Sequence, residues 1–174
     1  MIIQSTNIND LKIIKLNKFN DSRGVFYRNF CEKELQSITK KKIVQSNISI
    51  NKKKFTLRGF HYQKNPSKEG KFITCVTGNV FNVTIDLRKK SKSYLKLVKM
   101  NINSKKNNII YIPPGCANAY LTLEKNTIIH YSMTDFYKPE TYEKFNYKSK
   151  EIKIKWPAKP AVISLQDKNA KNLF

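Results

Sequence analysis

At 174 residues and 40% apolar content, the chain is of one-domain size, and it has no run of 18 apolar residues to cross a membrane as a helix. Its formal net charge of +22 invites a nucleic-acid reading. Only Arg23, Arg28, Arg58 and Arg88 are Arg, however, and 30 lysines are scattered along the chain, whereas base-reading and phosphate-clamping surfaces favour Arg. The charge is read as a solvated, compositional feature that attracts anionic small molecules, so neither nucleic acid nor a membrane is expected as a partner.

Residues 1–5 lack the basic flank and apolar core of a signal peptide, and Cys31, Cys75 and Cys116 are odd in number with no CxxC spacing. A cytoplasmic protein with reduced thiols, and with neither a disulfide framework nor a zinc site, is expected.

In chain order, residues 11–16 form a short strand candidate, and Asn20-Asp21-Ser22-Arg23-Gly24 is a turn before a second run, 25–30. Residues 31–37 suit one or two helical turns. Over 43–50, Gln45, Asn47 and Ser49 alternate with Val44, Ile48 and Ile50, so a polar face leads into Thr56-Leu57-Arg58-Gly59-Phe60-His61-Tyr62-Gln63. That stretch gathers an Arg, a Gly and one of only two His residues. Asn65-Pro66-Ser67 breaks the chain before a run that opens at Lys71.

Residues 72–76 and 80–87 read as a hairpin across Thr77-Gly78-Asn79. In its second arm Phe81, Val83, Ile85 and Leu87 share one face and Asn82, Thr84 and Asp86 the other. Residues 94–102 alternate again, 104–108 is a turn, and Ile109-Ile110-Tyr111-Ile112 closes at Pro113-Pro114-Gly115, whose prolines remove backbone donors. Residues 119–123 and 127–134 read as a further hairpin. All five glycines are expected at strand ends or turns. Strand candidates recur about every ten residues while helical periodicity is absent until the C-terminal tail. An all-β fold follows: an antiparallel jelly-roll barrel with short peripheral helical segments, in a single domain over 1–174.

If these runs enclose one interior, His61 is lined by Arg, Lys and amides, a set suited to holding an anion and moving a proton. In alternating register Lys71 shares a face with Ile73 and Cys75, and Tyr131 shares one with Ile129 and Met133. Both can point inward, while His130 points to the opposite face.

Arg23-Gly24-Val25-Phe26, Gln45-Ser46-Asn47-Ile48-Ser49, Leu57-Arg58-Gly59-Phe60-His61-Tyr62-Gln63 and Gly70-Lys71-Phe72 together resemble the nucleotide-sugar epimerases typified by dTDP-4-dehydrorhamnose 3,5-epimerase. So do Gly78-Asn79-Val80-Phe81, Ile112-Pro113-Pro114-Gly115 and Ser164-Leu165-Gln166-Asp167, in the same order and spacing. The resemblance implies a cupin-type jelly roll, usually a homodimer, that needs no metal or organic cofactor. Its substrate would be a nucleotide-diphosphate 4-keto-6-deoxy sugar, inverted at C3, C5 or both. By correspondence His61 is the base, paired with Asp167, Tyr131 is the acid on the other face of the sugar, and Lys71 stabilises the enolate oxygen. Arg58 and Arg23 would meet the diphosphate, with Phe26, Gln45, Asn47 and Tyr137 around nucleotide and sugar. The set is chemically coherent, because a proton alpha to a ketone leaves only if the enolate is stabilised and an acid waits on the opposite side.

The chain departs from the family pattern at several places. Asn118 stands where a His is common, Asn82 where an Asp is common, Arg28 where an acidic residue is usual, and Tyr142 where Glu is frequent. Two other readings remain open: a metal-dependent cupin, for which His61 and His130 are too few ligands, and a non-catalytic carbohydrate-binding jelly roll.

Overall fold

The computed structural model describes residues 1–106 and 108–174. The strands are β1 (Ile2–Ser5), β2 (Lys12–Lys15), β3 (Lys18–Asp21), β4 (Gly24–Tyr27), β5 (Gln45–Asn51), β6 (Thr56–Gln63) and β7 (Lys71–Thr77). They continue with β8 (Asn79–Asp86), β9 (Leu97–Asn103), β10 (Asn108–Ile112), β11 (Cys116–Thr122), β12 (Thr127–Met133), β13 (Tyr142–Lys144) and β14 (Val162–Ile163). Two one-turn helices, α1 (Glu32–Leu35) and α2 (Leu165–Lys168), are peripheral. The turn expected at 104–108 includes Asn107, which lies outside the described residues.

One sheet runs in the order β1-β2-β10-β7-β12-β5 and the other β13-β6-β11-β8-β9, with β14 added beside β6. All pairings except β14 with β6 are antiparallel. From β5 to β8 and again from β9 to β12, each strand passes to the opposite sheet, and of the consecutive strands in that span only β8 and β9 pair with each other. This is the jelly roll expected from the strand spacing.

The two expected hairpins are corrected. Strand β7 pairs with β10 and β12, β8 pairs with β9 and β11, and β11 and β12 likewise lie in different sheets. Gly78, at φ +85, carries the chain across the corner from β7 to β8. Its own shape requires Gly: a Cβ there would meet Thr127 Oγ1 at 2.5 Å.

Alternation then sorts side chains into three layers. Between the sheets lie Ile73, Cys75, Ile110, Ile112, Ile129 and Tyr120. Outside the β6-β11-β8 sheet, Phe60, Val83 and Ile85 are covered by Phe145, Ile152 and Trp156. Phe60 and Phe145 stack with centroids 4.6 Å apart, a geometry that adds about 0.5–1.5 kcal/mol to their burial. Outside the other sheet, Phe72, Ile109 and Tyr111 are covered by Leu35 and Ile38. The polar face of β8 expected from the sequence is therefore the inner one: Asn82, Thr84 and Asp86 are fully buried. On β5 the same logic runs outward, and Ile48 and Ile50 are exposed.

Candidate active site

The interior is filled at one end and open at the other, where a cavity of about 540 Å³ lies between the sheets. His61, Arg58 and Asn118 come from β6 and β11 on one wall, and Lys71, Tyr131, Gln45 and Asn47 from β7, β12 and β5 on the facing wall. Tyr137 stands at the rim.

Arg58 and His61 should face opposite sides of a regular strand, since side chains alternate with period two. The ladder prevents this: His61 pairs with Asn118 and Arg58 with Tyr120, so three steps on β6 match two on β11. One extra residue is a bulge, and it turns both side chains inward. Gly59 makes the bulge possible. At φ +112 it approaches β11 so closely that a Cβ would stand 2.5 Å from the Asn118 carbonyl oxygen. Gly59 thus lies inside a strand, not at the strand end or turn expected of it.

His61 Nε2 is 2.7 Å from Asp167 Oδ1. Asp167 is buried, and its other oxygen accepts from the Gly59 amide at 3.3 Å. Ser164 caps α2 by accepting the Asp167 N–H at 3.0 Å, which fixes the backbone carrying the carboxylate. Burial pushes the Asp167 carboxyl up, but the bonds from His61, Gly59 and Ser164 outweigh it and hold it below the usual carboxylate range. Among the described residues, the other ring nitrogen of His61 has no hydrogen-bond partner.

On the facing wall Lys71 is paired across the ladder with Met133, and Tyr131 with Ile73, so Lys71 and Tyr131 are diagonal neighbours. Lys71 Nζ meets Glu69 Oε1 at 3.0 Å, and Glu69 Oε2 accepts from Gln63 at 2.6 Å. Gln63 in turn accepts from Thr141 Oγ1 at 2.7 Å and the Lys138 amide at 2.9 Å. Glu69 was not anticipated, because no periodicity distinguishes a buried Glu in a break segment from a solvated one.

Arg58 Nε donates to Asn51 Oδ1 at 2.9 Å, which aims it along the wall. Gln45 Oε1 accepts the Tyr137 amide at 3.0 Å and so ties the rim to β5. Tyr142, also unanticipated, packs against His61 and Tyr137 with centroid separations of 5.4 and 5.5 Å. His130 faces away from the cavity, as expected, between Ser46 and Asn29.

Two expected site residues do not join the others. Arg23 and Phe26 stand on the exposed β3-β4 hairpin, where Arg23 is paired with Asp21 at 2.6 Å, and neither lines the cavity. Among the described residues, no group of three or more His, Cys, Asp or Glu forms a metal-ligand set. No helix among them is long and apolar enough to cross a membrane.

A jelly roll with an imidazole on one inner wall, backed by a carboxylate from α2, and a lysine and a phenol on the other wall is the arrangement expected of a cupin-type epimerase. A family model for dTDP-4-dehydrorhamnose 3,5-epimerase matches residues 5–174. Enzymes of that name from Shigella flexneri and from Salmonella typhimurium strain LT2 are 33% and 31% identical, over 97% and 90% of this chain and 94% and 86% of theirs. A solved dTDP-4-dehydrorhamnose 3,5-epimerase from Bacillus anthracis, with TDP and PPi bound, superposes with a TM-score of 0.95 over 99% of both chains at 28% identity. A Legionella pneumophila dTDP-6-deoxy-D-glucose-3,5-epimerase, in complex with dTDP-4-keto-L-rhamnose, superposes at 0.92 with 32% identity, over 98% of this chain and 92% of its own. The chain belongs to the dTDP-4-dehydrorhamnose 3,5-epimerase family, which favours the epimerase reading over the non-catalytic carbohydrate-binding one.

Proposed function

We propose that the chain epimerises the sugar of a dTDP-linked 4-keto-6-deoxy hexose at C3, C5 or both, in deoxysugar or surface-polysaccharide biosynthesis. The observation that carries this reading is the His61 and Asp167 pair at 2.7 Å, set across the cavity from Lys71 and Tyr131. His61 removes the proton alpha to the C4 ketone, and the electron pair moves to the C4 oxygen as an enolate. Asp167 orients the ring and stabilises the imidazolium, and Lys71 offsets the charge on the oxygen. Tyr131 returns a proton from the other wall, which inverts the carbon. Nothing is oxidised or reduced, so the step calls for no redox cofactor, and Lys71 supplies the positive charge that a metal ion would otherwise bring to the enolate oxygen.

Arg58 meets the diphosphate, while Gln45, Asn47, Asn118 and Tyr137 surround sugar and nucleotide. The relatives solved with TDP and with dTDP-4-keto-L-rhamnose support the choice of nucleotide. Three free cysteines support a reducing, cytoplasmic setting.

We also propose a homodimer. Ile48 and Ile50 are 66% and 62% exposed on β5, a sheet edge, and Val76 is exposed on the same outer face. Arg23 and Phe26 are assigned to the second copy's cavity, since Phe19 and Phe26 pair on an exposed hairpin that does not line their own. Sedimentation should give twice the 20.4 kDa chain mass, and Ile48→Glu should return a monomer. A wild-type monomer at micromolar concentration overturns the dimer.

The chemical reading is tested in deuterated water with dTDP-4-keto-6-deoxyglucose. Deuterium should enter at C3, C5 or both. Absence of exchange at both carbons overturns it.

A further inference from the structure

Along the wall that carries His61, three neutral side chains run from the cavity into the buried inner face of the sheet. Asn118 lines the cavity, and in the ladder it sits between His61 on β6 and Thr84 on β8. Thr84 Oγ1 donates to Asn118 Oδ1 at 3.0 Å, and Asn82 Nδ2 donates to Thr84 Oγ1 at 3.3 Å. Asn82 and Thr84 are 0% exposed and Asn118 is 8% exposed.

A hydroxyl has one proton to give. With Asn82 donating to it, Thr84 directs that proton at Asn118 Oδ1, and the Asn118 amide NH₂ is left for the cavity. The opposite polarity would strand the Asn82 NH₂ in the interior, whereas this one leaves, of the three side chains, the Asn82 Oδ1 as the buried atom without a partner among the described residues. Buried orphan N–H groups are the rarer and costlier defect. The order of donors is therefore set from the interior outward.

We infer that Asn118 is a specificity-determining residue that presents a fixed N–H donor to an oxygen of the bound sugar, with Thr84 and Asn82 as the positioning residues that set its polarity. The inference rests on the proposed sugar-nucleotide substrate. The N–H donates equally to a carbonyl oxygen or a hydroxyl lone pair, and it opposes a protonated amino substituent, which can only donate. None of the three side chains can take up a proton, so this arm adds no ionisation beside the His61 and Asp167 pair.

Calorimetry with dTDP and with dTDP-4-keto-6-deoxyglucose isolates the sugar contact as the ratio of the two dissociation constants. Asn118→Asp puts an acceptor where the donor stood, and should weaken the sugar nucleotide at least about tenfold while leaving dTDP within about twofold. Thr84→Val, which touches no substrate, should weaken it several-fold, and Thr84→Ser should restore it. An unchanged ratio in Asn118→Asp overturns the inference whether or not Thr84→Val folds. If the wild type binds the sugar nucleotide but exchanges no ring proton, the epimerase reading falls and the Asn118 ratio still decides the inference. If it binds no sugar nucleotide, both fall.

Discussion

Arg58 and His61 stand three residues apart on β6, and both line the same cavity. The extra residue on β6 between the pairings Arg58 with Tyr120 and His61 with Asn118 is what allows it. The proposed base and the proposed diphosphate-binding cation are thereby placed on one wall by a single backbone irregularity, which needs a residue without Cβ at position 59.

Gly59→Ala should therefore damage fold and function together. A side chain at φ +112, with its Cβ 2.5 Å from the Asn118 carbonyl, forces β6 and β11 apart. Strain of this kind costs about 1–3 kcal/mol. At about 2–4 °C per kcal/mol for a chain of this size, thermal unfolding should fall by several degrees, with kcat reduced as His61 leaves its register.

The jelly roll was legible because strand candidates recur about every ten residues, with strict alternation in β8, and an alternating register in β7 and β12 puts Lys71 and Tyr131 on inner faces. Which strands pair was not. The turns at Gly78 and at 124–126 show that the chain reverses, but a reversal inside one sheet and a corner between two sheets use the same residue types. Asp167 and His61 are separated by 106 positions, and only their motifs brought them together in the sequence. The bulge at Gly59 and the buried Glu69 depend on contacts with β11 and Lys71 that no local pattern carries.

Glu69 supplies a second prediction. Its side chain is 2% exposed and bridges Lys71 to Gln63. Removing one partner of so enclosed a pair leaves the other uncompensated, a loss of about 3–5 kcal/mol when both are fully buried. Lys71 keeps 16% exposure, so Glu69→Leu should cost less than that range in urea unfolding. Glu69→Gln should fold and keep KM, but lower kcat by loosening the Lys71 ammonium.

Acid should act through Asp167. Its carboxyl is held below the usual range in the fold, so the unfolded chain binds its proton first as pH falls. The stability it contributes is complete above about pH 4–5 and is lost as pH drops through the lowered folded value. Unfolding midpoints of the wild type and Asp167→Asn should differ by a constant amount above that point and converge below it. A gap that widens toward acid pH would contradict the sign.

The central claim is that His61 is the base and Tyr131 the acid on the facing wall. It is tested most directly by ring-proton exchange in deuterated water with dTDP-4-keto-6-deoxyglucose bound. His61→Asn should retain folding and dTDP binding, yet lose exchange and turnover by at least about 10²- to 10⁴-fold. Tyr131→Phe should block epimerisation while still washing out some substrate proton, because His61 and Lys71 remain. Exchange at the wild-type rate in His61→Asn, with the substrate shown to be bound, would contradict the account.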